Sequence, residues 1–187
     1  MLAYLFWHVP RPEVGTREYE TALSDFLADL ARVPPPGLAS CATYRISAVP
    51  WLGGQRRYED WYFVQSSADL DALNEAAVRP ERWEVHACIA RMMESGHGGL
   101  YRHLRGEEQP LSGEHVAWLT RPRGIRYEQP LQDIIGRAAG FTSCWRRQMV
   151  LGPGAEFIIV GTSPFNAAVP DGWQARPVER TRLVGAA

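Results

Sequence analysis

Apolar and polar positions along this chain alternate between strand-like and helix-like spacing, and they do so in the same order twice. Leu2 to Val9 is an apolar run of strand length. Thr16 reads as a helix cap, and Tyr19, Ala22, Leu23, Phe26, Leu27 and Leu30 then recur at helical spacing until Pro34-Pro35-Pro36-Gly37 ends the pattern. Leu38 to Val49 and Arg57 to Ser66, separated by Gly53-Gly54, read as paired strands, and Ser67 opens a second helix. Pro80 lacks a backbone donor and should break that helix, which resumes with Val85, Cys88, Ile89 and Met92 on one face. Gly96, Gly98 and Gly99 are expected to stop it in left-handed turns, and Leu100 to Arg105 makes a fourth strand.

The second half repeats this order. Val116 to Thr120 is a strand and Glu128 to Ala139 a helix. Ser143 to Leu151 and Ala155 to Ser163 form a hairpin around Gly152-Pro153-Gly154, and Ala175 to Val184 is the last strand. Only Phe165 to Gly172 stands where a second helix belongs. That shortfall would leave sheet surface uncovered unless the helix region near Trp83 to Met93, or another subunit, lies over it.

Short matches accompany the repeated order. Tyr19-Glu20-Thr21-Ala22-Leu23-Ser24-Asp25 recurs as Tyr127-Glu128-Gln129-Pro130-Leu131-Gln132-Asp133, and Gly37-Leu38-Ala39-Ser40-Cys41 recurs as Gly140-Phe141-Thr142-Ser143-Cys144. Strand, helix, strand, strand, helix, strand is the ferredoxin-like pattern. The expected organisation is α+β: a first ferredoxin-like unit over 1–106, a linker over 107–113, and a second unit over 114–187 with a shortened second helix.

On this element order and duplication the chain resembles the dimeric α/β-barrel superfamily, in which two ferredoxin-like units join antiparallel sheets into a barrel with helices outside. That resemblance implies one of several activities, because members include cofactor-independent monooxygenases of polycyclic aromatics, haem-degrading enzymes and haem proteins related to chlorite dismutase. Related tandem barrels hold haem through a histidine on a helix of the second unit. The helix Glu128 to Ala139 has none, and His86, His97, His103 or His115 would have to serve in an unfamiliar arrangement. No cofactor is therefore assigned.

Composition narrows the picture further. The chain has 187 residues, 45% of them apolar and 22% charged, with a formal net charge of -1. This balance gives no reason to expect a nucleic-acid or membrane partner. The apolar start is too short for a bilayer span and lacks a basic leader, so a cytoplasmic protein is expected, with a homodimer left open. All 20 basic residues are arginine, which excludes a Schiff-base lysine, a pyridoxal-phosphate anchor and a P-loop lysine. Cys41, Cys88 and Cys144 suit reduced buried thiols. No zinc spacing or HExxH motif occurs, and no metal site is assigned.

Candidate site residues follow from the barrel that the resemblance implies, since a charge in mid-strand would belong in its lumen. Alternation puts Arg45 on one face with Cys41, Thr43 and Ser47, and Arg146 on one face with Cys144 and Gln148. Glu59 with Trp61, or else Asp60 with Tyr62, would supply a countercharge, as would Glu156. Trp7 and His8 end the first strand, where the second half carries Trp118 and Leu119. This reading makes His8 a general base, with Trp7, Arg45, Trp61, Trp118 and Arg146 binding a small aromatic or anionic molecule in the lumen of a cofactor-independent monooxygenase or cyclase. The same residues equally describe a non-catalytic structural or interaction protein whose lumen is filled by its own side chains and ion pairs.

Overall fold

A computed structural model describes residues 1–149 and 151–186. The strands are β1 (Leu2–Pro10), β2 (Leu38–Ile46), β3 (Arg57–Val64), β4 (Met93–Gly106), β5 (His115–Thr120), β6 (Phe141–Arg147), β7 (Phe157–Gly161) and β8 (Gln174–Ala186). Every neighbouring pair is antiparallel, and they close into one barrel in the order β1-β3-β2-β8-β5-β7-β6-β4. The helices α1 (Thr16–Arg32), α2 (Asp69–Val78), α3 (Trp83–Met92) and α4 (Glu128–Arg137) lie outside it. Read around the barrel, β4-β1-β3-β2 is followed by β8-β5-β7-β6, the same spatial order within each set of four. Gly37 and Gly140 enter β2 and β6 with φ of 80° and 64°, the left-handed region that favours glycine.

Period-two alternation sorts each strand between the lumen and the helix-covered face. Along β1, Ala3, Leu5, Trp7 and Val9 point inward, whereas Leu2, Tyr4, Phe6 and His8 point toward the helices. Along β3, Trp61 and Phe63 are inward while Tyr58, Tyr62 and Val64 are outward. The lumen is solid. Trp7, Trp61, Trp118 and Trp145 are all fully buried there, in edge-on contacts such as Trp7 to Trp118 at 5.5 Å between ring centres and Trp61 to Trp145 at 6.0 Å. Glu59 lies among them, accepting Trp7 Nε1–H at 2.7 Å and Trp61 Nε1–H at 2.6 Å, with Arg180 Nη1 3.5 Å away. An eight-stranded barrel is just wide enough inside for side chains, and bulky tryptophans fill this one.

Several sequence expectations change in detail. Gly15, not Thr16, occupies the helix-cap position of α1, without a side-chain cap bond. Gly96, Gly98 and Gly99 do not stop a helix. They lie inside β4 with ordinary φ, and α3 ends before them at Met92. Their role is clearance: a Cβ on Gly96 would sit 2.4 Å from the Phe6 ring, on Gly98 2.6 Å from the Tyr4 hydroxyl, and on Gly99 2.8 Å from the Trp7 ring. The expected strands Ser143 to Leu151 and Ala155 to Ser163 are shorter: 148–149 and 151–156 are outside any strand, and Gly152, at φ 113°, packs on Gly99; Val150 of that expected strand lies outside the described residues. The sheet beneath the missing helix is covered by the chain itself, as Phe165, Ala167, Val169 and Trp173 pack with α4 over β5, β6 and β7.

The break at Pro80 is real and is organised around Arg82. A single 3₁₀ turn, Pro80–Arg82, separates α2 from α3. The wholly buried Arg82 guanidinium donates to Asp29 Oδ2 at 2.5 Å, to Ala76 O at 2.6 Å and to Asp29 O at 3.0 Å, tying the ends of α1 and α2 together. Hydrogen bonds from Arg82, and then from Arg32, hold the Asp29 carboxyl below its ordinary value of 3.8. A carboxyl depressed by folding contributes stability above its unfolded value, and that contribution disappears as pH falls through the folded one. Melting temperatures of the parent protein should thus drop more steeply below the ordinary carboxylate range than those of Asp29→Asn; parallel profiles would contradict this assignment.

Candidate functional site

The space that the lumen lacks opens outside it. A cavity of about 310 Å³ lies between the outer face of β1 and β3 and the helices α1, α2 and α3. Leu23 and Phe26 of α1, Leu70 and Leu73 of α2, and Ile89 of α3 make its apolar walls. Tyr4, Phe6, His8, Asp60 and Tyr62 form its floor. The helical residues are there because the apolar stripe of each helix faces the sheet. The floor residues are there because alternation in β1 and β3 turns every second side chain outward. Asn74, exposed on α2, and half-buried His86 on α3 sit at the cavity as well.

His8 is the centre of a compact polar network in this floor. Its side chain is 1% exposed, with Nδ1 2.6 Å from Tyr19 Oη on α1. Its ring stacks on Tyr58 at 5.6 Å and 11° and on Phe6 at 5.4 Å and 23°. Nε2 lies 3.3 Å from Asp60 Oδ1, but away from hydrogen-bonding geometry, so it is buried without a hydrogen bond. Asp60 is itself fixed: Thr43 Oγ1 donates to Oδ1 at 2.6 Å and Tyr62 Oη donates to Oδ2 at 3.2 Å. The imidazole is therefore held in place by one contact at Nδ1 and by two ring stacks, with its second nitrogen left to face the carboxylate.

Burial keeps the surrounding phenols protonated. Tyr4, Tyr19 and Tyr62 are each pushed above the ordinary tyrosine value first by burial and then by the negative charge of Asp60. Tyr58 is pushed up to about 12 by burial and by Glu20, whose carboxylate accepts its hydroxyl at 3.1 Å. These groups stay neutral hydroxyls at neutral pH, each able to donate or accept a hydrogen bond. Burial also moves the His86 imidazole below its ordinary value, so its neutral form is favoured.

The six residues singled out from sequence separate into three places. His8 is on the cavity floor. Trp7, Trp61 and Trp118 are lumen core, with Trp7 and Trp61 spent on Glu59. Arg45 and Arg146 are not in the lumen, which corrects the expectation that placed them there. Arg45 does share a face with Cys41 and Thr43, but that face is the helix side, and its guanidinium reaches Glu20 at 2.8 Å with half its side chain exposed. Arg146 likewise points out, donating to Tyr127 Oη at 3.0 Å and lying 3.5 Å from Glu156, which also pairs with Arg121 at 2.8 Å. Both lie on the outer face, where a long side chain still reaches water. Asp60, considered from sequence only as an alternative countercharge, proves to be the partner of His8.

Nothing in the sequence marks Tyr4, Tyr19 or Thr43 as site residues; Tyr62 enters there only beside Asp60, and His86 only as an alternative haem ligand. In sequence Tyr19 belongs to the apolar stripe of α1, and nothing in it points to His8. The signal available was an acidic residue in a strand of aromatic residues, Tyr58 to Phe63, whose countercharge had to be found somewhere.

The fold is a closed antiparallel eight-stranded barrel with helices outside it and a cavity beneath three of them, and solved structures share that fold. Two solved structures carry the comparison: a candidate monooxygenase from Lactobacillus acidophilus NCFM, at 11% identity and a TM-score of 0.61 over 99% of this chain and 95% of that one, and an anthrone oxidase-like protein, at 10% identity and a TM-score of 0.52 over 99% and 92%. At such identities the similarity is one of fold. No protein-family model matches the chain, and no curated protein matches it.

Proposed function

We propose that this protein binds a flat, largely apolar small molecule between the sheet and helices α1 to α3 and removes an acidic proton from it, with His8 as general base. The carrying observation is the buried Nε2 of His8, which has no hydrogen bond and lies beside Asp60 on the floor of the cavity. In the tautomer that serves this reading, Nδ1–H donates to Tyr19 and Nε2, beside Asp60, carries the lone pair that takes the proton. When a substrate C–H or O–H bond breaks, its proton passes to Nε2 and its electron pair stays on the substrate as an enolate or phenolate. The new imidazolium then lies 3.3 Å from a carboxylate of opposite charge.

Arg45 and Arg146 are too remote from the cavity lining to hold the substrate anion. Tyr4 takes that role here, because its side chain is on the cavity floor, and its hydroxyl stays protonated and meets no protein acceptor among the described residues. The enolate is electron-rich and can reduce dioxygen: at a methylene carbon, one oxygen atom enters as a carbonyl and the other leaves as water. This finer assignment, a monooxygenase of enolisable aromatics, agrees with the descriptions of the two similar structures. Duplication of a ferredoxin-like unit over 1–106 and 114–187 belongs to the same proposal, with one half keeping the base and the other carrying Leu119 at the matching strand end.

The test is proton exchange, which needs no oxidant. Anthrone in heavy water should take up deuterium at its methylene carbon faster with the protein than without it. Tyr4→Phe should slow that exchange by a factor of about 100, the usual loss of one donor to a developing oxyanion. Exchange at the buffer rate with the parent protein would refute the proposal.

A further inference from the structure

We infer that the cavity selects its ligand by charge, with Asp60 admitting neutral and cationic molecules and excluding anions. This rests on the reading of the cavity as the ligand site and names the class of molecule that enters it. The chain has 20 arginines, and none of them lines the cavity. Those nearby are turned elsewhere: Arg45 to Glu20, Arg82 to Asp29 and to backbone carbonyls, and Arg56 to the carbonyls of Val14, Arg11 and Pro12. Asp60 is 4% exposed, and its near charged partner is His8, which is a cation only when protonated.

A buried carboxylate with no permanent countercharge repels any ligand that arrives with a negative charge, because both charges then share a poorly solvated space. A neutral O–H or C–H acid meets no such barrier. Its anion appears only as His8 becomes cationic, so the imidazolium is shared between the new anion and Asp60. An ammonium ion is admitted for a second reason, since Tyr4, Phe6, Phe26 and Tyr62 offer aromatic faces or edges around the same carboxylate. This reverses the expectation of an anionic ligand held by arginine.

A matched series of one ring system isolates charge from shape: naphthol, naphthylmethylammonium and naphthoate, titrated calorimetrically into the parent protein at neutral pH. Naphthol and the ammonium probe should bind at least about tenfold more tightly than naphthoate. Asp60→Asn should remove most of that difference. If that variant does not fold, Asn74→Arg, a change at an exposed position on the cavity rim, should instead raise naphthoate affinity severalfold and lower that of the ammonium probe. Equal binding of all three probes to the parent, or tightest binding of naphthoate, overturns the charge filter while leaving the cavity as the ligand site. Failure of every probe to bind overturns the ligand-site reading, and the filter with it.

Discussion

Replacing His8 by alanine should slow protein-catalysed deuterium uptake into anthrone by a factor of roughly 100 to 10,000, the range that a positioned general base contributes. The expectation follows from two properties of the imidazole. Its Nε2 is the basic atom on the cavity floor without a hydrogen bond, and the neighbouring Asp60 is committed to Thr43 and Tyr62. Loss of His8 also removes two ring stacks and the partner of the Tyr19 hydroxyl, so some loss of stability accompanies it. Two controls separate the roles. His8→Gln keeps a polar side chain of similar reach opposite Tyr19 and should fold while remaining slow. Imidazole added to the alanine variant should restore part of the rate, which repair of packing alone would not do. Exchange rates within threefold of the parent in both variants would remove His8 from the chemistry.

Glu59→Ala should destabilise the barrel by about 3–5 kcal/mol, the cost of breaking a buried pair and leaving one charge behind. Glu59 is buried among the lumen tryptophans, and its carboxylate accepts from Trp7 Nε1 and Trp61 Nε1 while lying 3.5 Å from Arg180 Nη1 as its counterion. Arg180 would keep its bond to Gly113 O at 2.5 Å and its place 3.8 Å over the Tyr44 ring, yet lose its counterion. Burial raises the Glu59 carboxyl, with Arg180 and the two indoles opposing that shift. A carboxyl raised by folding favours the native state most below its unfolded value, and that advantage fades as pH rises through the folded one. Glu59→Gln keeps the volume and one acceptor, so it should cost less than the alanine change and should lose this pH dependence. Chemical denaturation of the three proteins measures both effects. A loss below about 1 kcal/mol for Glu59→Ala, the level of an ordinary substitution, would mean that the lumen relaxes around the deletion.

Local order was legible in the sequence because spacing is a local property. The helices around Tyr19 to Leu30 and Leu131 to Ile135, the break at Pro80 and the partner strands of each half all lie where periodicity places them. Alternation also grouped Arg45 correctly with Thr43 and Cys41. What alternation does not encode is which face turns inward, and that depended on global packing. Ala42, Tyr44 and Ile46 fill the lumen, so Arg45 has to point out. The rule that a mid-strand charge belongs inside a barrel holds for Glu59 and fails for Arg45, because a long arginine on the outer face can pair with Glu20 and still reach water.

His8 was legible as an odd histidine at a strand end, but its partners were not. Tyr19 is eleven residues away in sequence and meets His8 only because α1 packs over the sheet, while Asp60 lies two residues beyond Tyr58, the register partner of His8 on the adjoining strand. The glycines of β4 show the same limit. They look like punctuation in one dimension, and become clearance for Phe6, Tyr4 and Trp7 once β1 and β4 are paired.

The central claim is that ligand binds outside the barrel, beneath the helices, and a crystal structure of the protein soaked with naphthol tests it most directly. The account predicts a naphthol ring among Phe6, Tyr62 and Phe26 with its oxygen at His8 Nε2, and undisturbed tryptophans in the lumen. A ring bound inside the barrel beside Glu59, displacing Trp7 or Trp118, would contradict it.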